Sequence, residues 1–145
     1  MIRGIGVDVC EVARIARALG GSSGARFRAR VFTAGEVAYG RARGRTGVQS
    51  YAAAFAAKEA VLKALGTGWG AGLGWHAVEV VHDAAGAPTV VLHEPARTLA
   101  RRRGVARVHL TLSHGGGLAV AMVVLEGGGA GAAGRRRPRA RPRSR

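Results

Sequence analysis

The two lysines of this chain stand on either side of an acidic residue in one short segment. Of its 23 basic side chains, Lys58 and Lys63 are the lysines and all others are arginines. Lysine is a compact point charge that suits phosphate groups. Glu59 and Lys63 are four residues apart, so on a helix they share a face. The pair is either a surface ion pair contributing about 0.2–0.5 kcal/mol or part of a chemical site.

The composition around these residues favours a chemical site. Residues 52–65 are otherwise almost entirely Ala, Leu, Val and Phe, and a helix that is apolar all round is buried. A carboxylate such as Glu59 on a buried helix must be paired, hydrogen-bonded or bound to a metal.

Asp8 is the acid at the end of the first predicted strand. It either caps the helix that follows or serves as a metal ligand. With Glu59 it could supply two carboxylates to Mg²⁺, which completes its octahedron with waters and substrate phosphates.

Two further segments could bind a ligand. The alternating glycines of Gly66 to Gly74 would let backbone N–H groups approach an anion, although a flexible loop is an equal alternative. Ser113 and His114 stand beside three glycines at a predicted strand end, and no acid completes a hydrolase triad. The remaining candidates show no metal-ligand spacing and are interpreted as solvated surface: His76, Glu79, His82, Asp83 and His93.

The elements that position these residues follow from hydrophobic periodicity and turn residues. Helices are expected over residues 11–19, 26–30, 33–43 (from a capping box at Thr33 and Glu36), 50–65 and 94–103, the last with Pro95 at its first position. Strands are expected over residues 2–9, 78–82, 89–93, 105–113 and 118–125. Because the later strands form hairpins, the predicted fold is α+β, with an antiparallel sheet packed against helices.

Composition divides the chain into a domain of residues 1–126 and a Gly/Ala and Arg/Pro tail of residues 127–145, predicted to be disordered. Residues 135–145 hold seven arginines, and subtracting them from the net charge of +15 leaves +8, so an anionic partner is expected.

Cys10 stands alone, no apolar stretch is long enough to span a membrane and no signal peptide is recognised. We therefore expect a cytoplasmic protein.

Together these motifs resemble the holo-[acyl-carrier-protein] synthase family of small 4′-phosphopantetheinyl transferases. The resemblance is collinear over about residues 2–126. It rests on Gly4-Ile-Gly-Val-Asp-Val9 with Arg14-Ile15, Phe32-Thr33 with Glu36, the segment from Phe55 to Gly68, and Leu112-Ser-His114 with Ala119-Val-Ala121.

The resemblance implies transfer of 4′-phosphopantetheine from coenzyme A to a serine of apo acyl carrier protein, releasing adenosine 3′,5′-bisphosphate. It implies that Asp8 and Glu59 hold Mg²⁺, that Glu59 helps to deprotonate the serine, and that Lys63 neutralises the leaving phosphate. It further implies a homotrimer with sites between subunits. The implied coenzyme A contacts are Lys58, Lys63, Gly66, Thr67, Gly68, Ser113 and His114, and the implied carrier-protein contacts are Arg14, Arg17, Arg26 and Arg28.

One residue departs from the family pattern, because Ala54 stands where family members commonly carry Arg; Arg41, Arg43 or Arg45 could substitute. Two other functions stay open. The charge and the tail fit a small nucleic-acid-binding protein, although the folded part has few aromatics and no recognised binding motif. The second open function is that of a protein that binds coenzyme A without catalysing a reaction.

Overall fold

The computed structural model describes residues 1–68 and 72–128. The helices in these ranges are α1 (Val12–Gly20), α2 (Gly24–Val31), α3 (Ala34–Ala42), α4 (Gly47–Ala64) and α5 (Ala96–Arg102). The strands are β1 (Ile2–Glu11), β2 (Val78–His82), β3 (Pro88–Leu92), β4 (Val105–Gly115) and β5 (Leu118–Gly127). Short 3₁₀ turns cover Gly44–Thr46 and Trp75–Ala77.

The strands form two antiparallel sheets. One has the order β1-β5-β4, and the other pairs β2 with β3. β4 and β5 are joined through Gly116 and Gly117, whose φ angles of 57° and 79° lie in the left-handed region that glycine favours. The predicted α+β fold is confirmed.

Helix α4 packs across the inner face of the three-stranded sheet, and glycines of β1 make this approach possible. A Cβ atom at Gly4 would collide with the carbonyl of Ala64, and one at Gly6 with the carbonyl of Ala60. β1 and α4 run in opposite directions, since Gly4 contacts Ala64 and Gly6 contacts Ala60. Alternate residues of a strand share a face, so Asp8 and Cys10 lie on the same face of β1 as these glycines, further towards its C-terminal end. The contact therefore brings the end of β1 towards the turn of α4 that carries Glu59.

Helix α4 is the centre of the core, with 13 of its 18 residues buried. Its C-terminus closes in a Schellman motif: the N–H of Thr67 donates to the carbonyl of Leu62, and the N–H of Gly66 to that of Lys63. Gly66 adopts the required positive φ of 65°. This termination sets where the glycine-rich segment after α4 begins.

The opposite face of the three-stranded sheet is apolar and open. Ile5, Val7 and Val9 of β1 are 57%, 54% and 54% exposed, and Met122 of β5 is 43% exposed. Val7 and Met122 are neighbours in the strand register. A continuous apolar surface of this kind marks an interaction face.

Most predicted elements are confirmed, with small shifts at their ends. The capping box at Thr33 and Glu36 is present, but α5 starts at Ala96, one residue after Pro95. β5 includes Gly127, whereas residues 129–145 of the predicted tail and residues 69–71 of the glycine-rich segment lie outside the described residues. Among the described residues, no helix is both long and apolar enough to cross a membrane.

Candidate active site

Asp8 and Lys63 meet at the edge of the three-stranded sheet. The ammonium Nζ of Lys63 lies 2.7 Å from Oδ1 of Asp8 and donates to the carbonyl of Val7 at 3.0 Å. The side chain of Lys63 is 52% exposed and that of Asp8 is 16% exposed. Lys63 therefore pairs with Asp8, although sequence spacing alone favoured a pair with Glu59. The predicted phosphate-neutralising residue and the predicted metal ligand share one site.

Glu59 is half-buried on α4, one turn before Lys63. Its charge affects the pKa of Cys10, whose thiol is buried on the inner face of β1. Burial raises the pKa of Cys10, the Arg14 guanidinium lowers it, and the carboxylates of Asp8, Glu11 and Glu59 raise it. Glu59 and Asp8 therefore both act on the same buried thiol.

Lys58 points the other way, into the core. Its side chain is fully buried, and Nζ lies 2.9 Å from Oε2 of Glu36, itself buried. Nζ also donates to the carbonyls of Trp75 and Val78. Burial lowers the pKa of Lys58, while the Glu36 carboxylate raises it in part. The three donors of this ammonium are engaged in the fold, so a structural role replaces the predicted contact with coenzyme A.

The loop after α4 keeps an unused polar group. Oγ1 of Thr67 is buried without a hydrogen-bond partner among the described residues. Gly66 and Gly68 on either side have φ angles of 65° and 53°. A buried hydroxyl without a partner is costly, so a ligand oxygen at this point would satisfy it. The loop is therefore suited to bind an anion close to Lys63.

A cavity lies between α3, the first half of α4 and the β2–β3 hairpin. The rings of Tyr39 and His82 stack in it, with centroids 3.8 Å apart and planes 3° apart. Its other lining residues are Arg43, Thr46, Gln49, Ser50, Ala53, Ala54, Val80, Gly86, Pro88, Leu112 and His114. The sequence does not predict this cavity, because its walls are distant in sequence and no motif joins them.

Arg43 lies in the same cavity as Ala54, with its guanidinium carbon 5.5 Å from the centroid of the Tyr39 ring. Burial and the Arg43 charge lower the pKa of His82, and Asp83 raises it in part. The cavity therefore presents a fixed cation and hydroxyl groups to an anion. Arg41 lies elsewhere, in a depression beside α1. Of the substitutes for the expected arginine at position 54, Arg43 has the supporting geometry.

Ser113 and His114 lie on opposite faces of β4 because successive side chains of a strand alternate. His114 lines the cavity. Ser113 pairs in register with Val120, which in turn pairs with the exposed Val9. Ser113 therefore lies on the open apolar face of the sheet. The fold thus brings His114, but not Ser113, to the cavity.

The predicted carrier-protein contacts lie on α1 and α2, which pack side by side. Arg14, Arg17 and Arg26 are exposed, and Arg14 stands over Phe55, 5.5 Å from its ring centroid. Arg28 is half-buried, and its Nε has no hydrogen-bond partner among the described residues. The charges of Arg14 and Asp8 both affect the pKa of Cys10, so this basic surface extends to the end of β1 that carries Asp8.

Glu79 and His93 correct another expectation. Their spacing predicts solvated surface, yet Oε2 of Glu79 lies 2.7 Å from Nε2 of His93, and Oε1 accepts a 2.8 Å hydrogen bond from Thr33. His82 is likewise half-buried in its stack with Tyr39. The β2–β3 hairpin is thus tied to α3 by a polar network.

The donor set at Asp8 and Glu59 suits Mg²⁺. The described residues contain no group of three or more His, Cys, Asp or Glu side chains able to enclose a metal ion. Mg²⁺ does not need one, since it commonly takes one or two carboxylates and keeps waters and phosphates in its other positions. A carboxylate paired with Lys63, a second carboxylate one helical turn before Lys63, and a loop suited to an anion fit that requirement.

Comparison with known proteins agrees with the site. Residues 4–123 match the family model of the 4′-phosphopantetheinyl transferase superfamily. A holo-[acyl-carrier-protein] synthase of Anaeromyxobacter dehalogenans is 55% identical over 131 residues, covering 89% of this chain and 99% of the relative.

Solved structures agree as well. The holo-[acyl-carrier-protein] synthase of Neisseria meningitidis has a TM-score of 0.78 at 34% identity, over 87% of this chain and 99% of that one. The synthase of Bacillus anthracis, in complex with CoA (3′,5′-ADP), has a TM-score of 0.72 at 35% identity, over 88% and 99%.

The fold and the site thus define a phosphopantetheinyl transferase: the chain belongs to the 4′-phosphopantetheinyl transferase superfamily. Within it, the chain groups with the holo-[acyl-carrier-protein] synthases.

Proposed function

We propose that this enzyme transfers 4′-phosphopantetheine from coenzyme A to a serine of apo acyl carrier protein. The serine oxygen forms a bond to the phosphorus next to pantetheine, and the bond from that phosphorus to the bridging oxygen breaks. Adenosine 3′,5′-bisphosphate leaves, and the serine proton passes to a base. The observation that carries the proposal is the Asp8–Lys63 pair at 2.7 Å, with Glu59 one turn away on α4.

Each residue of this group has a proposed role. Glu59, half-buried on α4 one turn before Lys63, accepts the serine proton directly or through water. Lys63 is half-exposed, so it can turn from Asp8 towards the leaving phosphate and neutralise its charge. Thr67, whose hydroxyl has no hydrogen-bond partner among the described residues, and the flanking glycines hold phosphate oxygens. Positioning and charge neutralisation are the main requirements of phosphoryl transfer.

Asp8 and Glu59 are the residues that would hold Mg²⁺ in this proposal. When bound, the ion would polarise the pyrophosphate of coenzyme A and offset its negative charge.

The cavity around Arg43, Tyr39 and His82 is our proposed site for the nucleotide end of coenzyme A. A stacked aromatic surface, a cation and several hydroxyl groups suit a base and a phosphate. Related structures support the ligand, since the synthase of Bacillus anthracis was solved in complex with CoA (3′,5′-ADP) and that of Helicobacter pylori in complex with coenzyme A.

We further propose a homotrimer with sites between subunits. Asp8 and Leu112 are both register neighbours of Ala121, so the carboxylate and the cavity wall lie on opposite edge strands of one sheet. These strands are about 10 Å apart. The open apolar face between them, with Val7 and Met122, offers the contact surface. A neighbouring subunit could then complete the site, and Ser113 would face it.

The remaining proposals concern the partner and the setting. The exposed arginines Arg14, Arg17 and Arg26, with Arg28, form the docking surface for the acidic carrier protein, because complementary charge speeds encounter. Residues 1–126 form the transferase domain and residues 127–145 a tail, in a cytoplasmic enzyme.

The test is to incubate the enzyme with Mg²⁺, coenzyme A and apo acyl carrier protein, and to measure the mass of the carrier. We expect the carrier to gain the mass of one phosphopantetheine group, with adenosine 3′,5′-bisphosphate as the second product. Chelation by EDTA and the Glu59→Gln variant should both stop the gain. Binding of coenzyme A without any gain on the organism's own carriers would overturn the proposal and favour a non-catalytic binding protein.

A further inference from the structure

A depression between four helices is lined by two arginines. Arg28 of α2 and Arg41 of α3 face it, and the remaining walls come from the end of α1, the end of α3 and the start of α4. Leu19, Val48 and the ring of Tyr51 make part of these walls apolar. We call this feature the arginine depression.

The charges of the arginine depression are not neutralised within the fold. Among the described residues, neither Arg28 nor Arg41 is in an ion pair. The chain has eight acidic side chains, and none of them lines the depression. Two positive charges without a counter-charge favour an anionic ligand at this point.

Arg28 is held in place more firmly than a surface arginine. It is half-buried, and its Nε is buried without a hydrogen-bond partner among the described residues. Because packing restricts the side chain before a ligand arrives, less conformational entropy is lost on binding. The planar guanidinium also matches the two oxygens of a carboxylate. Arg28 is therefore a preorganised donor for such a group.

The depression adjoins the arginines of α1. Arg17 is exposed and lies three residues before Gly20, which lines the depression, so the two are neighbours on the helix surface. The eight steps from Val12 to Gly20 rise about 12 Å from the end of β1 that carries Asp8. A folded domain of about 100 residues has a radius of gyration of about 13 Å. A carrier protein on Arg14 and Arg17 would therefore cover the depression as well.

The combination of charge and apolar walls favours a protein segment over a small anion. A free phosphate would use the charges of Arg28 and Arg41 but not the apolar surface of Leu19 and Val48. A protein can present a carboxylate and an apolar side chain together, and arginine beside apolar surface is typical of protein interfaces.

We propose that the arginine depression receives a carboxylate side chain of the acidic carrier protein, with an apolar side chain of the carrier packed against Leu19 and Val48. The inference rests on the proposed transferase function, which supplies the carrier as the partner. Arg28 and Arg41 then determine the affinity for the carrier and contact neither coenzyme A nor the reacting atoms.

The experiment measures binding of fluorescently labelled apo acyl carrier protein to the full chain by anisotropy, without coenzyme A and at about 50 mM salt, where screening is weak. Arg28→Gln should raise the Kd about tenfold or more, because a charged hydrogen bond is lost. Arg41→Gln should raise it about two- to fivefold, since Arg41 is exposed. The matched control is Arg101→Gln, which removes the same charge from an exposed position on α5 and should leave the Kd unchanged.

Steady-state kinetics separate this role from a merely structural one. Arg28→Gln should raise the KM for the carrier while kcat and the KM for coenzyme A stay close to wild type. Arg28→Lys keeps the charge but not the planar fork, so it should recover only part of the affinity. An equal rise in the KM for coenzyme A would contradict the proposal.

A double-mutant cycle identifies the carboxylate. The acidic residues of the carrier are replaced by their amides one at a time, and one of these carriers should bind wild type and Arg28→Gln with the same Kd. If Arg28→Gln weakens every carrier to the same extent, Arg28 acts through the fold and the proposal fails.

Two further results would overturn the proposal. Equal Kd values for wild type, Arg28→Gln and Arg41→Gln would exclude the depression as a carrier contact. Thermal stabilisation by inorganic phosphate that Arg28→Gln abolishes, together with an unchanged Kd for the carrier, would assign the depression to a small anion instead. Loss of transfer with normal carrier binding would contradict the proposed function and leave this site unaffected, since the binding experiment contains no coenzyme A.

Discussion

The ammonium group of Lys63 lies 2.7 Å from a carboxylate oxygen of Asp8, although the two residues are 55 positions apart. The same ammonium donates to the carbonyl of Val7. The pair links the last turn of α4 to the free edge of β1. Since half of the Lys63 side chain is exposed, the contact positions charge at the edge more than it stabilises the fold.

Asp8→Asn should abolish most turnover while leaving the fold intact. The amide keeps the shape of the side chain but loses the charge that attracts both Lys63 and Mg²⁺. We expect carrier modification to slow by about 100-fold or more. The free energy of unfolding, from urea denaturation, should change by less than about 1 kcal/mol. Full activity of this variant would exclude Asp8 as a metal ligand.

Replacing each lysine by methionine should separate a structural from a chemical role. Lys58→Met leaves the buried Glu36 carboxylate without its partner, so we expect a loss of about 3–5 kcal/mol in the free energy of unfolding. Lys63→Met removes a half-exposed ion pair and should cost less than about 1 kcal/mol while slowing transfer. Urea denaturation of both variants provides the measurement, each serving as control for the other. Equal destabilisation would contradict the assignment of Lys58 to the core.

Local patterns explain which parts of the fold were predictable. The capping box at Thr33 and Glu36, the apolar run of α4 and the glycine turn between β4 and β5 each depend on neighbouring residues. The pairing of β1 with β5 joins residues over 100 positions apart, and no short pattern encodes it. The hydrophobic spacing could therefore predict the elements but not the order β1-β5-β4.

The same limit explains the site. The spacing of Glu59 and Lys63 places them on one face of the helix, yet Lys63 pairs with Asp8. The reason is that Gly4 and Gly6 allow β1 to pack closely against α4. The orientation of α4 about its own axis determines that Lys58 is buried and Lys63 is exposed. The sequence motif contains both lysines and does not indicate which of them faces the core. Tyr39 and His82 are brought together by the packing of β2 beside α3, which explains why the cavity was missed.

Arg43→Ser should weaken the binding of coenzyme A. The guanidinium lies in the cavity that Ala54 also lines, and a hydrogen bond to a charged group contributes about 1.5–3 kcal/mol. We expect the KM for coenzyme A to rise by about 10- to 100-fold with little change in kcat.

Adding Ala54→Arg to Arg43→Ser gives the matching control. If Arg43 takes the place of the arginine common in the family, the second substitution should restore part of the affinity, whereas Arg41→Ser alone should have little effect. An unchanged KM for Arg43→Ser would remove the nucleotide end of coenzyme A from this cavity.

Glu79→Gln should flatten the dependence of stability on pH in acid. Burial alone would raise the pKa of Glu79, but hydrogen bonds from His93 and Thr33, and the charges of His93 and Lys58, outweigh it and hold this pKa below 4.5. A carboxyl whose pKa is lowered by folding stabilises the protein above its unfolded pKa, and this contribution is lost as the pH falls through the folded value.

The measurement for Glu79 is urea denaturation at a series of pH values from neutral down to below 4.5. The wild-type chain should lose more stability over that range than Glu79→Gln. His93→Ala should move the wild-type loss towards higher pH, because it removes the hydrogen bond that lowers the pKa of Glu79 most. An identical pH profile for wild type and Glu79→Gln would contradict the role assigned to this network.

Val7→Asp should separate the subunits of the proposed trimer. Val7 is 54% exposed on the open apolar face, beside Met122. A carboxylate there would cost little in an isolated subunit but would be buried without a partner between subunits. Sedimentation velocity should therefore show a trimer for wild type and a monomer with greatly reduced transfer activity for the variant. Val91→Asp, at a 38% exposed position on β3, is the matched control and should remain trimeric. A monomeric wild-type enzyme with full activity would rule out a site shared between subunits.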